Sequence, residues 1–314
     1  MVRPEMMRNA QLTFLASLIW LGGLTSAYAA RAVDQKRCRA LMQNYEQIER
    51  GANTLQVNNY LFAAARRGCK ELAQRVLANG GSLRARDRTG AAPLSKAAEE
   101  GWGELVQLFL NRGAPIDAQD TQGQTALFRA VMADRSDIAR SLLDRGADHR
   151  ITGRKGNSVI AAAAYNGNPK LVATLLEFGA NPETVDQLGK SPMCYAAGRG
   201  WKEVVTLLLD SGVDVNARYG NGLTALMWAA GYSADAGYLD SIGVVDLLVA
   251  RGAHVNDKDD RGRTALMIAA ELEYDEMVNA LLRHGADPRV TDNEGRTAVE
   301  LAATDALRHV LRRN

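Results

Sequence analysis

Aromatic residues are scarce in this 314-residue chain, at 6% against 46% hydrophobic residues overall. That balance leaves Ala- and Leu-rich helix pairs as the way to build apolar contacts. Histidine is scarcer still: His149, His254, His284 and His309 are the whole complement, and no two stand at the helical spacing of a metal site. The chain has no GxSxG, no phosphate-binding loop and no HExxH, so the common sequence signatures of hydrolases, nucleotide-binding enzymes and zinc proteases are missing. Asp257-Lys258-Asp259-Asp260-Arg261-Gly262 begins like a calcium loop. It fails at its fifth position, Arg261, and at its twelfth, Ile268, which cannot supply a bidentate carboxylate. Glu99 and Glu100 are neighbours at a helix end, not carboxylates opposed across a scissile bond. The formal net charge is only +2, too little to hold a polyanion, so nucleic acid is not an expected partner. Long apolar runs are missing too. The one candidate, residues 12–24, is short of the ~20 residues needed to span a bilayer.

That run has a different reading. Arg3 and Arg8 precede it and the small residues of Ala27-Tyr28-Ala29 come after it, which is the pattern of a secretory signal peptide over 1–29. An uncleaved anchor is the alternative, and Met6 or Met7 is a second possible start because Glu5 is unusual in a basic leader. Cleavage would remove two positive charges and one negative, leaving a body at +1 without a membrane segment. A periplasmic or secreted location is therefore expected. Two states are open to Cys38 and Cys69 there: a disulfide tying the leading helix to the segment around Cys69, or two free thiols.

What the sequence does have is a period. Shifted by 33 positions, residues 186–218 superpose on 120–152, on 153–185 and, after one longer unit, on 259–291. A fixed period of this length means a stacked array, in which added length adds units and not core radius. Residues 30–53 precede it, with Leu41, Tyr45 and Ile48 on one helical face, and read as a capping helix. The units then run 54–86, 87–119, 120–152, 153–185, 186–218, 219–258 and 259–291, with a partial unit at 292–314 closing a 54–314 domain. Thr125, Thr224, Thr264 and Thr297, with Ser158 and Ser191, fall where a hydroxyl caps the first helix of a unit. Pro93 and Pro192 sit in a first turn that needs no amide donor. Ala pairs such as Ala196-Ala197 let helices approach, and Leu pairs such as Leu207-Leu208 fill the space between second helices.

The unit resembles the ankyrin repeat: an Asp, a Gly three residues on, a Thr-Pro-Leu motif, an Ala pair, a Leu pair and Gly-Ala-Asp recur in phase from about 54 to 310. The resemblance, to exported bacterial members in particular, implies an all-α solenoid of helix-turn-helix units with short β-hairpin fingers. It implies a monomeric, non-catalytic scaffold without a cofactor, binding a partner protein on a concave surface made of fingers and first helices. One departure stands out. The family's usual His after Thr-Pro-Leu is replaced by Ser95, Phe128, Ala161, Cys194, Met227, Met267 and Glu300, so apolar packing takes over from a polar link between repeats. Cys194 is accordingly read as a small buried hydrophobe.

Carried over position by position, the family's variable surface gives Arg154, Lys155, Tyr165, Asn166, Gln187, Leu188, Lys190 and Arg199 as partner-binding residues. Tyr232, Tyr238 and Leu239 join them from residues 231–243, where the unit at 219–258 carries seven extra residues between its helices. Inserts of this kind lie on one face of an array and often bind, the alternative being a neutral insertion that folds back onto its own helices, since loop growth is thermodynamically cheap. An alternative function arises from the insert: closure over a ligand, in an accessory role to an exported stress-defence enzyme, with which some exported bacterial ankyrin proteins are linked. Trp102 and Trp201, at the start of second helices, are expected to brace neighbouring units.

Overall fold

The computed structural model describes residues 35–231 and 238–313, with side chains from 240 onward in the second span. The expected leader at 1–29 lies outside the described residues. Everything regular within them is helical, in the order α1 (35–48), α2 (Thr54–Arg67), α3 (Lys70–Ala78), α4 (Pro93–Glu100), α5 (Gly103–Asn111), α6 (Ala126–Met132), α7 (Ser136–Asp144), α8 (Val159–Asn166) and α9 (Pro169–Glu177), then α10 (Pro192–Gly198), α11 (Lys202–Asp210), α12 (Ala225–Gly231), α13 (Tyr238–Ala250), α14 (Ala265–Glu271), α15 (Asp275–Arg283), α16 (Ala298–Leu301) and α17 (Asp305–Arg313).

The expected β-hairpin fingers are not strands. Among the described residues there is one isolated bridge, Tyr219 to Leu223, and no sheet. The reason is in the finger's leading Asp. Asp120 Oδ1 accepts from the amides of Gln122 and Gln124 at 2.7 and 2.9 Å, and Asp186 and Asp259 repeat the pattern. A side chain that takes two backbone donors stabilises a tight turn and leaves no room for a ladder.

The chain forms two compact units. The first comprises 35–88 with 92–115 and holds α1 to α5. Tyr45 of α1 is fully buried, with its ring 5.0 Å from that of Tyr60 and its hydroxyl accepting from Asn79 Nδ2 at 3.1 Å. Arg75 of α3 donates two bonds to Glu49, each 2.8 Å, and a third to Glu46, fixing the same helix end. The Cys38 and Cys69 sulfurs lie at bonding distance with Cα atoms 5.3 Å apart, joining α1 to the residue that precedes α3. Trp102 donates its indole N–H to the Arg66 carbonyl at 3.1 Å. Its ring lies over Gly68, where a Cβ would come within 2.6 Å of it.

The second unit comprises 89–91 with 116–313 and stacks the helix pairs from α6–α7 to α16–α17. Thr125, Ser158, Ser191, Thr224 and Thr264 each accept from the amide three residues on, so five of the six capping hydroxyls read from the sequence are in place, while the Thr297 hydroxyl donates to Glu300. Ala163, Ala164, Ala196, Ala197, Ala229, Ala230, Ala269 and Ala270 are all fully buried. Of each Leu pair one column, Leu142, Leu175, Leu208, Leu248 and Leu281, is fully buried, while Leu176, Leu207, Leu247 and Leu282 are half-buried and Leu143 is buried as well. Burying each member of the first column contributes about 1.5–3 kcal/mol. Five of the seven positions that replace the family His are packed as apolar residues, Phe128, Ala161, Cys194, Met227 and Met267 being at most 2% exposed, whereas Ser95 is a buried hydroxyl and Glu300 is exposed and accepts from Thr297.

Successive fingers are joined through the backbone. Thr121 N donates to Thr89 O, Gln187 N to Lys155 O, Gly220 N to Gly189 O, Asp260 N to Asn221 O and Asn293 N to Arg261 O, all at 2.8–3.1 Å. The insert behaves differently from a plain loop. Whereas α11 has 9 residues, α13 has 13, so four of the seven extra residues form one additional helical turn at its start. That turn lies against Gly200, whose Cβ would come within 3.0–3.2 Å of Asp240 and Ser241. Backbone there covers the kind of glycine that an indole covers at Gly68 and Gly167.

Candidate functional site

Three of the sequence-predicted residues, Tyr165, Lys190 and Arg199, meet in one surface cluster built by the ends of α8 and α10, the finger before α10 and the Trp228 ring of α12. Each element is short and rigidly started: Ser158 caps α8, and Ser191 with Pro192 begins α10. Tyr165, in the last turn of α8, is 42% exposed. The guanidinium of Arg199, the residue that closes α10, stands 4.3 Å above its ring. Tyr195 meets Tyr165 edge to face at 5.9 Å and donates its hydroxyl to Asp186 Oδ2 at 2.6 Å. Lys190 Nζ then lies 5.8 Å from the Tyr195 ring and 4.9 Å from that of Trp228, which is buried. Cations held over aromatic faces in this way gain about 0.5–1 kcal/mol each at exposed sites. The outcome is a preorganised layer of rings and positive charge. Burial, and after it the bond to Asp186, pushes Tyr195 ionisation well above the usual phenol range. Burial likewise pushes Tyr219 up to about 12. Cys194, beneath this surface, is 1% exposed, and burial raises its thiol above the ordinary value, as suits an inert packing residue.

The predicted residues separate into two groups. Arg154 and Lys155 are exposed on their finger, Gln187 and Leu188 are exposed on the next, and Leu188 shows 60% of its surface. Tyr165, Lys190 and Arg199 form the aromatic and cationic layer described above. Asn166, in contrast, has its side-chain N–H group committed to the array, donating to the carbonyls of Val131 and Met132 at 3.0 and 3.2 Å. Tyr232 lies outside the described residues, as do the side chains of Tyr238 and Leu239.

Three contributors to the site were not among the candidates: Tyr195, Asp186 and Trp228. A signal for them exists nine residues after each finger's first position. Lys96 reaches Asp87 at 3.9 Å, Arg129 holds Asp120 and Tyr195 bonds Asp186; where that first position is Gly153 or Tyr219, the ninth residue is Ala162 or Trp228. The fingers led by Asp259 and Asp292 carry Ile268 and Leu301 at that place and hold their carboxylates with Arg261 and Arg296 instead, so the brace belongs to the earlier fingers, and Tyr195 and Trp228 both lie against Lys190. No group of three or more His, Cys, Asp or Glu that could hold a metal occurs among the described residues. The calcium-like stretch is explained by its contacts, since Asp259 accepts from the amides of Arg261 and Arg263 and from the Arg261 guanidinium. Among the described residues no helix is long and apolar enough to cross a membrane.

A stack of capped helix pairs joined by turn fingers, with an aromatic and cationic patch on the finger side, defines a repeat-built binding module. Family models described as ankyrin repeats (3 copies) match residues 61–152 and 160–259, and one described as ankyrin repeats (many copies) matches 248–302. The chain belongs to the ankyrin-repeat family. Among solved structures it is similar to the human ASB11 ankyrin repeat domain, with 25% identity, a TM-score of 0.64, and coverage of 71% of this chain and 97% of that one. It is also similar to the ankyrin repeat domain of Bcl-3, a member of the IkappaB protein family, with 27% identity, a TM-score of 0.59, and coverage of 72% and 100%. No curated protein sequence matches significantly. Ankyrin repeat domains generally mediate protein–protein interaction and are typically non-catalytic.

Proposed function

We propose that this chain is a non-catalytic scaffold that captures a partner protein on the finger and first-helix face of its second unit, the face that is concave in the family. The observation that supports it most is the layer in which Arg199 stands 4.3 Å over the 42% exposed ring of Tyr165. Tyr and Arg held in place before binding cost little entropy when a partner arrives, and such residues dominate interface energetics. Leu188 and Met132, 60% and 43% exposed, supply flanking apolar area. The experiment is a pull-down with the purified full chain and with a Tyr165→Ala/Arg199→Ala variant of unchanged melting temperature. Loss of the specific partner in the variant supports the reading; recovery of the same partner in equal amount contradicts it.

The scaffold acts as an exported monomer, of the kind found in the bacterial periplasm. Support comes from the basic, apolar and small-residue order of residues 1–29 and from the Cys38–Cys69 pair, which suits an oxidising compartment. Amino-terminal sequencing of the mature protein is expected to begin near Ala30, and an intact Met1 would contradict export by cleavage.

A further inference from the structure

We infer that the segment captured on this face is acidic, with an aromatic or large aliphatic residue beside its carboxylates. The inference rests on the proposed binding face and names the chemistry of its occupant.

Charge is distributed unevenly along the finger and first-helix segments of the second unit. Residues 153–168 carry Arg154 and Lys155 and no carboxylate, and residues 186–201 carry Lys190 and Arg199 against Asp186 alone. The single carboxylate faces inward to the fold: its oxygens accept from the amides of Leu188 and Lys190 and from the Tyr195 hydroxyl. Together the two segments carry four positive side chains and one negative. Residues 259–274 and 292–304 show the reverse: with Asp259 and Asp292 turned to their own finger amides as Asp186 is, Asp260, Glu271, Glu273, Glu294 and Glu300 stand against Arg261, Arg263 and Arg296. An acidic segment is therefore drawn to the fingers of residues 153–201 and repelled further along the array. Such opposed charge sets register as well as affinity.

The apolar half of the recognition comes from the same place. Tyr165 and Leu188 are exposed beside the cations, and the rings of Tyr195 and Trp228 back Lys190. An aromatic or branched side chain next to a carboxylate would meet ring and cation together. A polyanion fits less well, because four cations on a chain with a formal net charge of +2 do not make the extended positive field that phosphate backbones select.

The test is selection of a phage-displayed random dodecapeptide library on the immobilised full chain, followed by titration of the recovered peptide by fluorescence anisotropy. The peptides are expected to be enriched in Asp and Glu next to Phe, Tyr, Trp or Leu. Affinity should fall about tenfold in an Arg154→Glu/Lys155→Glu variant, both positions being exposed finger residues, and should weaken as NaCl is raised. Peptides without acidic enrichment, or an affinity that the double variant leaves unchanged, would overturn the inference. So would a single-stranded oligonucleotide that displaces the peptide at equal concentration. Hydrogen exchange on the peptide complex separates this inference from the reading beneath it. Protection on the fingers with neutral peptides refutes only the acidic chemistry, whereas protection confined to α9, α11 and α13 refutes the face itself.

Discussion

Gly167 offers the most discriminating test of how neighbouring repeats are held together. It follows α8 with φ of +73°, and the Trp201 ring lies over it, so that a Cβ would stand 2.3 Å from indole Cδ2. The same indole donates to the Tyr165 carbonyl at 3.1 Å. Gly179 is its control: φ is +82°, and a Cβ added there would have nothing within 4 Å. Alanine at either site incurs the left-handed backbone penalty of about 1–2 kcal/mol. Only at Gly167 must it also displace a packed ring, an overpacking cost of about 1–3 kcal/mol. Gly179→Ala should therefore destabilise by about 1–2 kcal/mol and Gly167→Ala by about 2–5 kcal/mol. In a Trp201→Ala background the excess should vanish, giving a coupling of about 1–3 kcal/mol between residues 34 positions apart. Urea denaturation followed by circular dichroism measures the four variants. Because repeat arrays can unfold in parts, amide exchange in α8 and α11 should accompany it. Equal costs at the two glycines, or an excess that survives removal of the indole, would refute the brace.

Three further outcomes are expected from the packing and the titrating groups. Leu208→Ala should cost about 2–5 kcal/mol and Leu207→Ala about 1 kcal/mol, since the first is fully buried and the second half-buried, and equal urea midpoints would contradict that assignment of the column. Tyr195 and Tyr219 hold their protons more tightly in the folded than in the unfolded chain, so their contribution is fully present below pH 10 and is lost as pH rises above it. Tyr195→Phe should therefore flatten the fall in stability between pH 10 and 12, read from midpoints in that window, and an unchanged slope would count against the assignment. Thiol titration of protein purified without reductant should find no accessible thiol in the folded state and one, Cys194, after denaturation; three would show Cys38 and Cys69 unbonded.

How much of this was legible in the sequence depends on whether a contact repeats with the chain's own period. The capping hydroxyls, the Ala pairs and the replacement of the family His by apolar residues all recur every 33 positions, so phase alone locates Thr125, Ser158, Cys194 and Met227. The bracing role expected of Trp102 and Trp201 also holds, and its counterpart is periodic too, since Gly68 and Gly167 share their phase with Gly101 and Gly200, all left-handed. Asn166 shows the limit of carrying over a variable position: its side chain varies between copies because it holds this particular neighbour's carbonyls, not because it awaits a partner. Tyr195 and Trp228 were obscured in the same way, each serving a local finger. The fingers themselves looked like hairpins because Asp and Gly mark turns, yet the Asp carboxylates take the amides that strand pairing would have used. In the longer unit, length was visible as an insertion, but not that four of the added residues extend α13 by a turn whose Asp240 and Ser241 pack over Gly200.

Recognition on the side where the repeats differ is tested most directly by site-specific photo-crosslinking. A photoreactive residue placed at Leu188, exposed on its finger, is compared in living cells with one placed at Glu203, exposed on α11. Partner capture on the finger face predicts a discrete protein adduct from position 188 that disappears with Tyr165→Ala/Arg199→Ala, and none from position 203. An adduct formed equally from both positions, or from 203 alone, would contradict it.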